Sequence, residues 1–206
     1  MTAKQRRTQA ERRAETTARL VEGTIGALSE VGYTRTTARE ICARAGVSAG
    51  ALFGRFATLT DLVLAAAQEV AHRQIATFTQ HVAQLPDSGQ PSSVLPRLRA
   101  SARDPINAVW VELLVAARTD PELRERFRPV VAEYAAAMLA ASEQLPVLRR
   151  LPDHLRPLLV AHVVHYFDGE ALSGVLYPNA AFDDQRMSML TSLLGFFLEA
   201  QVDPAR

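Results

Sequence analysis

The sequence predicts an all-α protein of about nine helices, three at the N-terminus followed by a larger helical domain. Three observations carry this. Apolar residues recur at three- and four-residue spacing from Leu20 onward, and no stretch alternates apolar and polar residues as a half-buried strand does. Periodic runs open at capping residues such as Thr37, Ser48, Asp104-Pro105 and Asp120-Pro121. Several close at glycine or proline, as at Gly32, Gly46 and Pro86. The 206 residues suffice for one or two compact cores.

Residues 1 to about 10 hold Lys4, Arg6 and Arg7 and nothing to bury, and they read as a basic arm. Arg12 and Arg13 lead from it into the first helix, which runs to about Val31. Leu20, Thr24, Ala27 and Val31 form one row and Val21, Ile25 and Leu28 the next, a broad apolar face. Gly23 and Gly26 weaken an exposed helix by roughly 1 kcal/mol each against alanine, so close packing on another helix is the reading that would account for them. Tyr33 follows the terminating Gly32 and is expected to tuck its ring beneath the next segment.

That segment, Thr36 to Phe56, reads TTAREICARAGVSAGALFGRF, two short helices and a tight turn. Thr37 caps the first, with Glu40 placed to close a capping box. Ile41 and Ala45 share a face, and Gly46 ends the helix in the left-handed conformation. Ser48 caps the second helix, which has room for two turns to about Arg55, with Leu52 and Phe56 on one face and Val47 plugging the angle. Two helices joined by a short glycine-containing turn form the helix-turn-helix pattern, whose second helix leads into a DNA major groove.

A helix over about 60–84 follows, capped by Thr58 or Thr60, and it is the one long element expected to join the two domains. LPDSGQPSSVLP, with Pro86, Gly89, Pro91 and Pro96, reads as a loop. Helices then run from Pro105 to about Arg118 and from Pro121 to about Gln144, the latter with Pro129 as a source of a kink. LPVLRRLPDH is a connector. Asp153 caps a helix to about Leu176, and Asp183 or Asp184 starts the last, which ends near Ala200. These last two helices are apolar on more than one face, with Leu158, Tyr166 and Leu172 on one and Met189, Leu194 and Phe196 on the other. A helix apolar most of the way round must be covered on both sides, by its own core and by a second copy of the chain.

Charge divides the chain. Residues 1–60 carry ten Arg/Lys against five Asp/Glu, a net of +5, and residues 61–206 carry thirteen against seventeen, a net of −4. A basic first third that coincides with the helix-turn-helix points to a polyanionic partner. Cys42 is the one cysteine, so no intrachain disulfide forms, and core packing is its expected role. No apolar run spans a bilayer and the N-terminus has no apolar signal core, so a cytoplasmic protein without membrane contact is expected.

AREICARAGVSAGALFGRF and the following ATLTDLVLAA resemble the DNA-binding domain of TetR-family transcriptional regulators, over about Leu20 to Leu64. The marks are Gly32-Tyr33, Thr36-Thr37, Ile41, Ala45-Gly46-Val47-Ser48, Gly50-Ala51-Leu52-Phe53, Phe56 and Asp61-Leu62. The resemblance implies a DNA-binding domain over 1–60, an effector-binding and dimerisation domain over 61–206, and a homodimer joined through the last two helices. It implies a palindromic double-stranded operator and a small-molecule effector, most often acting on a repressor. Arg39 is then placed to reach a base edge, with Ala49, Gly50 and Ala51 at the leading end of the recognition helix. Thr37 and Ser48 suit phosphates, and Arg44 and Arg55 add charge or are ordinary surface arginines. The family usually has tyrosine where Phe53 stands and lysine where Leu59 stands, so two typical DNA-backbone contacts are lost here, and Gly54 is unusual where a large side chain is common.

Candidate ligand-lining residues in the larger domain are Phe78, Trp110, Tyr134, Met138, His162, His165 and Tyr166, with Glu112 and Asp168 as polar anchors. Core packing is the competing reading of each. His162 and His165 share a helical face, yet no companion cysteine, HExxH or third ligand accompanies them, so neither a metal site nor a cofactor is expected. No nucleophile elbow, phosphate-binding loop or dinucleotide fingerprint points to an enzyme. The expected function is a DNA-binding regulator released by an apolar or amphipathic ligand. The alternative is a helical interaction module or ligand carrier whose helix-turn-helix is structural.

Overall fold

The computed structural model describes residues 8–85 and 90–202. Ten α-helices and one 3-10 turn make up the described chain, and no strand occurs among the described residues. They are α1 (Gln9–Val31), the 3-10 turn (Tyr33–Arg35), α2 (Ala38–Ala45), α3 (Ala49–Phe53), α4 (Leu59–Ala83) and α5 (Pro91–Ala102). There follow α6 (Pro105–Ala116), α7 (Pro121–Ser142), α8 (Pro146–Arg149), α9 (Arg156–Gly174) and α10 (Ala180–Val202). The chain forms two compact units, one of Met1–Val70 with Glu112–Val130, the other of Ala71–Val111 with Val131–Arg206. The divisions fall inside α4, α6 and α7, so the expectation that one long helix alone joins two parts is corrected to three.

In the first unit α1 packs on α2 around Leu20, Ala27, Ile41, Leu52 and Leu62. Each of the leucines and Ile41 is fully buried, which stabilises by roughly 1.5–3 kcal/mol per side chain. Gly23 permits this approach: a Cβ there would lie 3.1 Å from the Ile41 carbonyl oxygen and 3.3 Å from the Ala45 Cβ. Helix α1 starts earlier than its apolar rows, because Thr8 and Glu11 close a capping box. Arg12 and Arg13 are therefore helical, whereas Lys4, Arg6 and Arg7 lie outside the described residues.

Tyr33 is linked to α6 and α7. Its backbone N–H donates to Glu112 Oε1 at 2.6 Å and its hydroxyl to Asp120 Oδ2 at 2.7 Å. Burial, with Asp120 adding to it, pushes the phenol up to about 12. Thr58 and Asp61 cap α4 reciprocally, and Asp61 also pairs with Arg126.

In the second unit three readings are corrected. Pro91–Ala102 is a helix: Pro91 occupies its first turn, where an N–H is not needed, and burial of Val94 and Leu95 outweighs the bond that Pro96 removes. Asp153 does not cap α9, which has Leu155 at its N-cap; Asp153 instead pairs with Arg156 at 3.0 Å. Helix α10 begins at Ala180, where Asn179 Oδ1 accepts the Phe182 N–H at 3.1 Å, and Asp183 turns inward to Arg103 at 2.6 Å.

Candidate nucleic-acid interface and ligand cavity

The helix-turn-helix is built from its own caps. Thr37 Oγ1 accepts the Glu40 N–H and Ser48 Oγ the Ala51 N–H, both at 3.2 Å. Each hydroxyl keeps its hydrogen as a donor. Gly46 takes φ 60° and ψ 41°, the left-handed turn in which a Cβ is unfavourable. Its carbonyl, left over at the end of α2, accepts Arg19 Nη2 at 2.9 Å. This bond spans 27 residues and no local pattern signals it.

Ser48, Ala49 and Gly50 are exposed at the start of α3, Ala51 is half-buried, and Leu52 is fully buried against the core. Phe53 is 53% exposed, a large ring left on the surface, and Gly54 beside it is exposed. Arg39 is exposed and has no ion-pair partner among the described residues, so its guanidinium is available. Arg44 is engaged by Glu40 at 2.7 Å and Glu30 at 2.9 Å, and these hydrogen bonds hold its pKa above the usual value. Arg55 donates to the Ala51 carbonyl at 3.2 Å and the Arg13 carbonyl at 3.4 Å. Both arginines thus tie the motif together.

The second unit holds an apolar cavity of about 580 Å³, counting its part open to solvent. Of the expected ligand residues, Phe78 and Met138 line it, with aliphatic residues of α5, α8, α9 and α10 around them. Ser142 is a polar side chain in that lining, and its hydroxyl is spent on the Leu139 carbonyl at 2.7 Å. Trp110 and Tyr134 instead pack on each other, ring centroids 4.5 Å apart. Glu112 belongs to the first unit, bound to Tyr33. Tyr166 lies under Arg186, 5.3 Å from its ring centroid.

His162 and His165 are exposed on α9, in one three-four row with the exposed Leu158, Leu172 and Leu176. A matching row on α10 exposes Phe182, Met189, Leu193 and Phe196. Leu194, expected in the seam between copies, lines the cavity instead. No described helix is long and apolar enough to cross a membrane.

An all-helical chain with a capped helix-turn-helix on its first unit and an apolar cavity in its second defines a DNA-binding transcriptional regulator. Residues 20–66 match the family described as bacterial regulatory proteins, tetR family. An uncharacterised HTH-type transcriptional regulator of Mycobacterium tuberculosis is 43% identical over 189 residues, 91% of this chain and 97% of that protein. The HTH-type transcriptional regulator CymR of Pseudomonas putida is 32% identical over 127 residues, 61% of this chain and 63% of CymR. A transcriptional regulator from Pseudomonas aeruginosa superposes with a TM-score of 0.70 at 22% identity, covering 97% of each chain. The multidrug binding protein EbrR, solved with imidazole, superposes with a TM-score of 0.59 at 25% identity, covering 86% of this chain and 93% of its own. The chain belongs to the TetR family of transcriptional regulators.

Proposed function

We propose that the protein is a cytoplasmic repressor. Residues 1–60 bind DNA, and residues 61–206 dimerise and receive an apolar or amphipathic effector that releases the operator. The observation that carries this reading is the apolar cavity in a chain whose other unit is a helix-turn-helix. EbrR, which binds imidazole, supports a small-molecule ligand by likeness. The chain acts by binding, not by catalysis. Two copies joined along the exposed rows of α9 and α10 present two recognition helices to the half-sites of a palindrome. Arg39 reads a base edge, Thr37 and Ser48 donate to phosphates, and Ala49, Gly50 and Ala51 let α3 approach closely.

The test is a salt-dependent mobility shift with the DNA upstream of the protein's own gene. Arg39→Ala is expected to weaken specific binding by about 1–3 kcal/mol and relax base preference at one position per half-site. Deleting residues 1–9 should weaken binding to every sequence and flatten the salt slope. Equal losses on specific and random DNA from both changes would make Arg39 a phosphate contact.

Phe53 offers a gain-of-function check. Phe53→Tyr places a hydroxyl where the family usually meets a phosphate, and one such hydrogen bond contributes about 1 kcal/mol. About fivefold tighter binding to all sequences is expected by mobility shift, and unchanged binding would remove Phe53 from the phosphate path.

A further inference from the structure

The cavity residues on three helices each have a partner one turn away along the same face. Phe78 on α4 is preceded by Gln74, Met138 on α7 by Tyr134, and Val164 on α9 is followed by Asp168. One helical turn beyond the aliphatic lining, the same three helices thus carry a layer of different chemistry within the same unit. In that layer Gln74 Nε2 donates to Asn107 Oδ1 at 2.7 Å. Asn107 Nδ2 donates to Asp168 Oδ1 at 3.1 Å and to the Ala102 carbonyl at 2.9 Å. Both Asn107 amide hydrogens and one of the two on Gln74 are thereby used, and a carbonyl acceptor is left over. Gln74 Oε1 is buried with no partner, and an unmade hydrogen bond there carries a desolvation cost. Asp168 is half-buried, and Tyr134 has one hydroxyl hydrogen to give.

We propose that the cavity and this acceptor-rich layer form one site for an amphipathic amine, its hydrocarbon body among Phe78, Met138 and Val164 and its protonated nitrogen donating to Asp168 and Gln74 Oε1. The inference rests on the ligand-controlled reading above and names the ligand's chemical class. Burial holds the Asp168 carboxyl above the usual carboxylate range, against the pull of Asn107 and His165. An ammonium group beside it supplies the missing counter-charge and the missing donor together. An anionic head would meet a carboxylate and an unpaired carbonyl oxygen, so carboxylate ligands are disfavoured. The Trp110–Tyr134 ring pair flanks the same layer and suits a cation.

The experiment uses the full-length protein and three probes of one chain length, n-octylamine, n-octanol and n-octanoate, titrated by calorimetry at pH 7. Octylamine is expected to bind at least about tenfold more tightly than octanol, and octanoate more weakly than either. Asp168→Asn should bring octylamine to the level of octanol and leave octanol unchanged. Gln74→Leu, the second variant, should lower octylamine affinity alone. An amine preference that survives Asp168→Asn, octanoate binding as tightly as octylamine, or no binding by any probe would each overturn the inference. Octanol binding without an amine preference overturns it and leaves the ligand-controlled reading standing. If octylamine binds tightly while operator affinity is unchanged in a mobility shift, that reading fails and the amine site stands.

Discussion

Replacing Glu170 by alanine destabilises the second unit by about 3–5 kcal/mol, since removing one partner strands the charge of the other. Glu170, 1% exposed on α9, accepts Arg99 Nε at 2.5 Å and Arg103 Nη2 at 2.7 Å, both from the α5 end. Asp183 of α10 accepts Arg103 Nη2 at 2.6 Å and pairs with Arg99 at 3.2 Å. The cluster therefore fastens α5, α9 and α10 to one another. Arg99 keeps Asp183 when Glu170 is lost, so the effect should sit near the lower bound, about 3 kcal/mol. For a chain of this length that is a thermal midpoint lower by about 6–12 °C. The contrast is Glu170→Leu combined with Arg99→Met, which removes both desolvation penalties and should be close to neutral. If the single and double variants melt alike, the ion pair does not carry the cost.

The same cluster has a pH dependence of known sign. The Arg103 hydrogen bond, with the charges of Arg103 and Arg99 behind it, holds the Asp183 carboxyl below the usual carboxylate range. Its contribution is complete above the unfolded carboxylate value of about 3.9 and is lost as pH falls through the lower folded value. Asp61, hydrogen-bonded to Arg126, and Asp120, bonded to the Leu123 N–H, are shifted the same way.

Phe196→Glu should convert the protein to monomers and weaken operator binding by about 100-fold or more. Phe196 is 71% exposed and shares its row on α10 with Leu193 and Met189, both 57% exposed. Covering such a row with a second copy brings the two-fold related positions together, and an unpaired buried charge there costs several kcal/mol. A monomer engages one half-site at a time and loses the effective concentration of the second, a factor of about 10²–10⁴. Sedimentation and mobility shift on one preparation decide it, with helix content by circular dichroism separating lost assembly from lost fold. A variant that stays dimeric with full operator affinity puts the seam elsewhere.

Features fixed within four or five residues were legible in the chain itself. Thr37, Ser48 and Gly46 cap and end their helices, because a cap is a contact between neighbours in sequence, although Glu40 turns to Arg44 and does not close the expected box. The order of motif residues from Gly32 to Leu62 was sufficient for the family. The proline-rich segment after Pro86 failed for the opposite reason: local chemistry argued for a loop, and burial of Val94 and Leu95 decided otherwise.

The phase of the last two helices was not readable, since a helix apolar all round gives periodicity no preferred face. Leu194 and Leu193 look alike in sequence, yet one lines the cavity and the other is exposed. His162 and His165 are pocket candidates by residue type and lie on the exposed row of α9 instead. Arg44 reads as a free cation until Glu30 from α1 meets it, and Glu112 as a ligand anchor until Tyr33 takes it. The sequence by itself determined helix class, the caps of the helix-turn-helix, the motif itself and the charge division, all properties of neighbouring residues or of composition. Only the tertiary structure decided which acceptors around Asp168 remain unpaired, because hydrogen bonds between Gln74, Asn107 and Asp168 join residues 33 and 61 positions apart.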